Sequence, residues 1–317
     1  MSYSQDMHLL VGIATMYYDE GAKQADIAKK YNISRSLVSK YLTKARELGL
    51  VEIIIHDEMI HPHKNIEDKI KRRYNLDEVI CVDSKEPEQL IKKLGVAAAK
   101  YLTRVIQPNQ IVGVSAGNTV HEMALNFYSK NKLSSVTFVP LAGGLGQQHS
   151  AIQANTVCEI LGQKSGGQYL ALHAPITTDT KEAKEVFMNQ SFIKKVFTKA
   201  AAADIAVVGI GGSPVYSTMT KIYLTEKNNE LAEDIKRTDI VGDICYNFID
   251  KQGALVDCNW NQRVISLPLD DLKKIPKVIG VCGGHDKVES IHAAISGGLI
   301  NILITDDITA NLLLDFM

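Results

Sequence analysis

The stretch VIGVCGGHDKVESIHAAISGGLINILI (278–304) decides the fold of most of the chain. An apolar run, Val278–Val281, ends in two glycines. A helical stretch, Lys287–Ala294, follows, and after a second pair of glycines comes another apolar run, Ile300–Ile304. The same alternation reaches back to residue 76. Val79–Val82, Ile111–Val114, Val136–Val139 and Ile205–Ile210 are short runs rich in Val and Ile, most of them followed by a glycine-containing turn and a helical stretch such as Asn118–Tyr128. Val264–Leu267 reads as a further strand. Continuous apolar strands between helices predict an α/β domain, a parallel sheet covered by helices on both faces. Neither an internal repeat nor a low-complexity tract interrupts the pattern.

Upstream the texture is different. Residues 1–55 read as helices. Met7 to Glu20 places Leu10, Ile13, Ala14 and Tyr17 at helical spacing, and Gly21 ends the segment. Gln24–Tyr31 is a short second helix with Ile27 and Ala28 inward. Asn32 suits the left-handed conformation of a tight turn, and Ser34 stands where an N-cap belongs. Arg35–Leu48 is a third helix with Val38, Leu42 and Ala45 on one face, closed by Gly49 and followed by a β-rich run, Val51–Ile55. Residues 56–63 (HDEMIHPH) lack periodicity and read as a linker. Lys64–Tyr74 is amphipathic, with Ile66, Ile70 and Tyr74 four apart, and opens the second domain, 64–317.

Composition agrees with two domains. The chain has 317 residues, and domains average about 150. Hydrophobic residues make up 45% and charged residues 22%, the balance of an ordinary globular protein that needs no staples. The net charge of −1 excludes a uniformly basic coat protein but leaves room for a local basic patch. Five cysteines without a C-x-x-C pair fit neither a disulfide framework nor a zinc ribbon, so no metal or cofactor is expected. No apolar run approaches the roughly 18 residues that span a bilayer. Met1–Leu10 carries Asp6 and His8 and lacks the pattern of a signal peptide. A cytoplasmic chain without a membrane partner is expected.

The first chemistry lies in the helical segment. A helix, a tight turn and a second helix presenting Ser34, Arg35, Ser36, Ser39, Lys40 and Lys44 form what a reader of the DNA major groove needs. Residues 21–46 hold seven basic side chains (Lys23, Lys29, Lys30, Arg35, Lys40, Lys44, Arg46) against one acidic, Asp26. That local asymmetry is an electrostatic footprint for double-stranded DNA. A small helical bundle with a solvated basic face is the bland alternative.

The second chemistry is anion binding. Ile111–Val114 runs into Ser115-Ala116-Gly117-Asn118-Thr119, small residues at the start of a helix. Backbone N–H groups converge on an anion in such a turn, and the Ser115 and Thr119 hydroxyls add donors. Lys287 can supply a cation. The Walker pattern G-x-x-x-x-G-K-[ST] is absent, and so is G-x-G-x-x-G. Glycine-rich turns after parallel strands are also plain tight connections, and spacing alone leaves both options open.

QADIAKKYNISRSLVSKYLTKARELGLV (24–51) resembles the DNA-binding segment of the SorC-type, sugar-binding DeoR-like bacterial transcriptional regulators. The resemblance continues through IVGVSAGNTV (111–120), VPLAGGLG (139–146), IQANTVCEILG (152–162), AADIAVVGIGG (202–212), VGDICYNFIDKQGALV (241–256) and the stretch 279–314. It implies an effector domain resembling the sugar-phosphate isomerase and deaminase fold. It implies that Ser115, Gly117, Asn118, Thr119 and Lys287 hold an effector phosphate, while Gly144, Gln153 and Asp243 meet the sugar. It also implies homodimers or homotetramers whose binding to a DNA operator is controlled by a sugar phosphate. The helix 64–74, with its apolar stripe, suits contact with a neighbouring subunit.

One departure is informative. Ala142 stands where some members carry an arginine for a second phosphate and others a lysine able to form a Schiff base, which favours a monophosphate held noncovalently. Gln147, Gln148 and His149 lie in the loop before Gln153 and either tune the sugar or are solvated. His56, Asp57, His61 and His63 have metal-binding side chains but lie in the linker. Cys158, Cys245 and Cys282 read as small buried hydrophobes. Trp260 lines a pocket or packs, and Arg263 contacts an effector or forms a structural ion pair. Without the resemblance Asp243 reads as a cap or turn residue. The repressor reading has two alternatives. One is a sugar-phosphate isomerase or deaminase, for which only Asp243 offers itself as base. The other is a regulator answering to a nucleotide or a protein.

Overall fold

The structure is a computed structural model that describes residues 3–51, 62–144, 146–214, 233–234 and 236–316, without the side chains of 3–6, 147 and 148. It divides into two compact units, Met1–His61 and Pro62–Met317.

The first unit contains α1 (Tyr3–Tyr18), α2 (Gln24–Tyr31) and α3 (Arg35–Glu47). Ile13, Ile27, Val38 and Leu42 form its core, and Leu10, Ala14 and Ala45 a second small cluster. The turn between α2 and α3 follows from two polar residues. Asn32 adopts φ 52° and ψ 47°, which lets the Ile33 N–H reach back to the Ala28 carbonyl at 3.0 Å. Ser34 then caps α3, its hydroxyl accepting from the Leu37 N–H at 3.2 Å. The first helix starts at Tyr3, four residues before the periodic pattern begins. Residues 52–55 of the expected β-rich run, and 56–61 of the expected linker, lie outside the described residues.

The second unit opens with α4 (Lys64–Tyr74) and is built on a seven-stranded parallel sheet. In chain order its strands are β1 (Glu78–Val82), β2 (Ile111–Val114), β3 (Thr137–Pro140), β4 (Gln168–Tyr169), β5 (Ile205–Val208), β9 (Lys277–Val281) and β10 (Ile302–Asp306). Across the sheet they lie in the order β1-β10-β9-β5-β2-β3-β4. A separate three-stranded antiparallel sheet holds β6 (Ile210–Gly211), β7 (Gly242–Ile244) and β8 (Asn247–Ile249).

Both faces of the large sheet are covered, as continuous apolar strands require. Val112, Val114, Ile205, Val207, Ile279 and Val281 point to one core with α5 (Leu90–Val105), α6 (Asn118–Asn126) and α7 (Ala154–Ser165). Ala206, Val208, Val278 and Leu303 point to the other, with α4, α9 (Ser191–Ala201), α10 (Val288–Ser296) and α11 (Asp307–Asp315). The remaining helix of that size, α8 (Lys181–Asn189), buries no residue fully.

Four expectations need correction. Ile205–Ile210 is not one strand: it breaks at Gly209, and β5 and β6 belong to different sheets. Val264–Leu267 is no strand either, since only Val264 and Ser266 make isolated bridges, to Thr177 and Ala142. The helix after β2 stops at Asn126, because Phe127 turns to extended backbone and is buried. The apolar stripe of α4 does not await a neighbouring subunit: Ile70 is in the unit's own core, and Ile66 and Tyr74 pack against it.

The packing of α4 answers a problem of the sheet. β1 is an edge strand, and its outward backbone donors need acceptors. Glu67 of α4, 4% exposed, accepts from the Cys81 N–H at 2.9 Å. Glu67→Ala leaves that donor under α4 without its charged partner. The expected loss is about 1.5–3 kcal/mol in equilibrium urea unfolding. A loss below about 0.5 kcal/mol, the size of an ordinary surface substitution, shows that water replaces the carboxylate without cost.

Candidate functional site

The strand order fixes where a ligand fits. After β2 the chain runs outward through β3 and β4, then returns to place β5 on the other side of β2. In open α/β sheets the crevice for ligands lies at such a reversal, beyond the carboxyl ends of the strands. A pocket of about 290 Å³ lies there. Its lining comes from the residues just beyond β2, β5 and β9, three adjacent strands, together with α5 and the β7–β8 hairpin.

After β2 come Ser115 to Val120. Gly117 has φ 128°, a conformation that other residues rarely adopt, and it starts α6. The first bond of that helix runs from the His121 N–H to the Gly117 carbonyl. The N–H groups of Asn118, Thr119 and Val120 therefore precede the ladder and face the pocket side of the helix N-terminus. Gly117 and Ser115 line the pocket and also make bonds within the fold. The Gly117 N–H donates to the Ile152 carbonyl at 3.0 Å. The Ser115 hydroxyl accepts from the Gly209 N–H and donates to the Ala116 carbonyl, both at 3.1 Å. Ser115 thus ties the turn after β2 to the break between β5 and β6.

After β9 comes a 3-10 turn, His285–Lys287, which leads into α10, so the helical stretch expected from Lys287 is two elements. Lys287 and Asp286 line the pocket opposite α6. Asp243, from β7, completes it and is a strand residue, not a cap or turn. Burial pushes its carboxyl up to about 6, against the pull of Lys287 and of the Tyr246 N–H. Gly211 makes room for it: a Cβ there would stand 2.0 Å from the Asp243 Oδ1.

The β7–β8 hairpin turns through Cys245 and Tyr246 at φ 49° and 66°. Two positive φ values define a turn that favours Asn-Gly, so a Cys-Tyr pair is strained there. The turn is held from outside. Trp260 Nε1 donates to the Tyr246 carbonyl at 2.7 Å, and the Asn247 amide donates to the Ser266 hydroxyl at 2.9 Å. Trp260 therefore packs, against Phe248, and does not line the pocket.

The structure thus gathers Ser115, Gly117, Asn118, Thr119, Lys287 and Asp243 around one pocket. Gly144 and Gln153 are not in its lining. They adjoin each other instead: the Gln153 amide donates to the Gly146 carbonyl, and its Oε1 would lie 2.9 Å from a Cβ on Gly144. Ala142 is buried in one cluster with Ile176 and Tyr246 and is not itself part of the lining. His149 sits in a kinked turn outside the pocket. Asp286, Tyr246 and Gly209–Gly212 line it without having been singled out from the sequence, and so does Cys245, expected only as a small buried hydrophobe. Their signal was proximity in chain to Lys287, Asp243 and a β-strand end. Arg263 is engaged, its carbonyl accepting from the Thr178 N–H. The five cysteines are free and buried. Among the described residues no group of His, Cys, Asp and Glu is placed to hold a metal, and no helix is long and apolar enough to cross a membrane. His56, Asp57 and His61 lie outside the described residues.

In the first unit, Ser34, Arg35, Ser36, Ser39, Lys40 and Lys44 are all exposed. Their helix buries Val38, Leu42 and Ala45 on its other side. The exposed face carries positive charge with a capped helix N-terminus at its start.

A profile of the sugar-binding domain family matches residues 59–315. The sorbitol operon regulator of Klebsiella pneumoniae is 29% identical over 318 residues, 99% of this chain and 100% of that protein. The transcriptional regulator LsrR of Escherichia coli O9:H4 is 31% identical over 304 residues, 94% of this chain and 92% of that protein. The crystal structure of the full-length sorbitol operon regulator SorC from Klebsiella pneumoniae aligns with a TM-score of 0.80 at 28% identity, over 98% of this chain and 99% of that one. A DeoR family transcriptional regulator from Listeria monocytogenes aligns with a TM-score of 0.71 at 28% identity, over 78% and 98% of the two chains.

The raised Asp243 carboxyl makes stability depend on pH. The folded state holds this proton more tightly than the unfolded state, so folding loses stability as pH rises from about 4 through about 6. Asp243→Asn removes that loss. Its unfolding free energy is expected to exceed the parent's at pH 7.5 by up to about 3 kcal/mol, with the gap closing by pH 4. A gap independent of pH across that range, in denaturant titrations, shows that Asp243 titrates as an ordinary carboxylate.

Proposed function

The chain belongs to the sugar-binding domain family of SorC-type regulators, and from that premise we propose that it is a DNA-binding transcriptional regulator controlled by a phosphorylated sugar. The observation that carries the effector reading is the meeting of the α6 N-terminus, Lys287 and Asp243 in one pocket. Helix N-terminal donors and an ammonium suit a phosphate. A carboxylate suits sugar hydroxyls, which donate to it. In this reading Asn118 and Thr119 offer backbone N–H groups and Thr119 its hydroxyl, Ser115 and Gly117 shape the turn, and Lys287 supplies the charge. Gly144 and Gln153, which adjoin each other outside the lining, contact the sugar in this reading. With one lysine at the anion end and Ala142 neutral, a monophosphate fits better than a bisphosphate.

DNA is read by the exposed face of α3. Arg35, Lys40 and Lys44 meet phosphates or guanine, and Ser34, Ser36 and Ser39 add hydroxyls. A two-fold operator requires at least a homodimer. The chain acts in the cytoplasm as a repressor, and the effector changes operator affinity by binding one conformation better than another. The expected organisation is a DNA-binding domain at 1–55, a linker at 56–63 and an effector domain at 64–317.

One observation favours a second reading. A carboxyl near pKa 6 beside an anion site is what an isomerase base needs. Conversion of glucose 6-phosphate or ribose 5-phosphate, followed by proton NMR in deuterated water, decides that point.

A thermal-shift screen tests the main proposal. At a hundred times its Kd, a sugar monophosphate stabilises by about 2.7 kcal/mol, a shift of about 5–10 °C for a domain of this size. Lys287→Ala is expected to lose the shift and keep operator binding. Arg35→Ala is expected to weaken operator binding, measured by fluorescence anisotropy, and keep the shift. Stabilisation by nucleotides alone, or an undiminished shift in Lys287→Ala, overturns the effector assignment.

A further inference from the structure

We propose that Asp306 is the positioning residue of the anion site, acting through Gly284 on Lys287. The proposal rests on the reading of the pocket as an effector site.

Asp306 ends β10 and is 2% exposed. It is not part of the pocket lining. Its Oδ1 accepts from the Thr309 N–H at 2.9 Å, which caps α11. Its Oδ2 accepts from the Thr309 hydroxyl at 2.6 Å and from the Gly284 N–H at 3.0 Å. The Gly284 N–H is shared with the Thr309 Oγ1 at 2.8 Å. The carboxylate thus does two jobs, a helix cap and the support of a loop 22 residues away in sequence.

The cap needs only one oxygen. The second oxygen reaches the backbone that carries Lys287. The Gly284 carbonyl accepts from the Lys287 N–H at 3.0 Å, closing the 3-10 turn. Fixing Gly284 therefore fixes where the Lys287 side chain begins. Gly283 is close-packed for the same reason: a Cβ there would stand 2.3 Å from the Asp306 Oδ2. Asparagine cannot do both jobs, because it has one acceptor oxygen, and its NH₂ meets either the Thr309 N–H or the Gly284 N–H with a donor where an acceptor is needed. An anion site that depends on a single lysine loses affinity when the support of that lysine loosens.

The neighbouring carboxylate is a built-in control. Asp307 accepts from the Ser84 N–H at 3.0 Å and from the Ser84 hydroxyl, on the side of the sheet edge and not of the Gly284 turn. Both aspartates stand at the start of α11, so a general effect on that helix touches both.

The experiment is isothermal titration of the full chain with glucose 6-phosphate and with inorganic phosphate. The variants are Asp306→Asn, Asp307→Asn, Thr309→Val and Lys287→Ala, with Asp306→Asn and Thr309→Val also placed on Lys287→Ala. Asp306→Asn is expected to weaken binding by about tenfold or more, the loss typical of a residue supporting a ligand-binding group. The same change is expected to add nothing in the Lys287→Ala chain, because the two act as one unit. Asp307→Asn is expected to bind like the parent. Thr309→Val removes one of the two acceptors of the Gly284 N–H and is expected to show a smaller loss, again absent on Lys287→Ala; it carries the test if Asp306→Asn does not fold. Parent-like binding by Asp306→Asn overturns the proposal alone. So does an equal loss with and without Lys287, or an equal loss in Asp307→Asn. A parent chain that binds neither probe overturns the pocket reading, and the proposal with it.

Discussion

Backbone donors at the ends of parallel strands have no partner within the sheet, and three adjacent strands end together here. β9, β5 and β2 lie side by side, and each leads into a turn of small residues. The direction in which each turn must send the chain decides the element that comes next. β2 feeds a helix N-terminus, β9 feeds the 3-10 turn of Lys287, and β5 breaks at Gly209 into a second sheet that brings in Asp243. The Ser115 hydroxyl, bonded to the Gly209 N–H, joins two of these turns, so the pocket is braced from beneath by a residue that presents little of itself.

The same corner holds the unfavourable terms. Asp243 is a carboxyl raised by burial, and close behind it Cys245 and Tyr246 lie in a left-handed turn that their side chains disfavour. Strain and desolvation of this kind persist only where the surroundings over-determine the geometry. Trp260 and Asn261 supply that determination through hydrogen bonds to the hairpin, and Asn247, within it, donates to the Ser266 hydroxyl. Among its described residues the first unit shows no such conflict. The basic face of α3 is exposed, and the core, cap and turn all favour the same local structure.

That difference explains what was legible in the sequence. The helix–turn–helix was legible because its determinants are local: the spacing of Val38, Leu42 and Ala45, the left-handed Asn32 and the cap Ser34. Six strands were legible as Val- and Ile-rich runs, because burial on both faces favours apolar residues along most of their length. The seventh, Gln168–Tyr169, was not, since it is two exposed residues at the sheet edge. The break at Gly209 was hidden because apolar residues continue on both sides of it. Lys287 and the Ser115–Thr119 turn could be singled out from the sequence as candidates, with a plain tight connection left open beside them. Their grouping with Asp243 needed the strand order. Asp306 was not singled out, because its second partner, Gly284, is distant in sequence.

The helices that follow Lys287 and Asp306 also share a neighbour. α10 starts just after Lys287, and its His292 meets the Tyr74 hydroxyl at 3.2 Å. α11 starts just after Asp306, and its Leu313 carbonyl accepts from the same Tyr74 hydroxyl at 2.8 Å. Arg73 adds bonds to the carbonyls of Leu314 and Phe316. Tyr74 has one proton, and Leu313 takes it, so His292 must donate through Nδ1 to the phenol oxygen. Burial and the Arg73 charge hold that imidazole below its usual pKa. The loop that places Lys287 is thereby connected, by two separate helices, to the last turn of α4, the first helix of the unit. A rigid connection of this kind leaves the loop few positions to adopt without moving α4, since packed helices shift as bodies and do not deform.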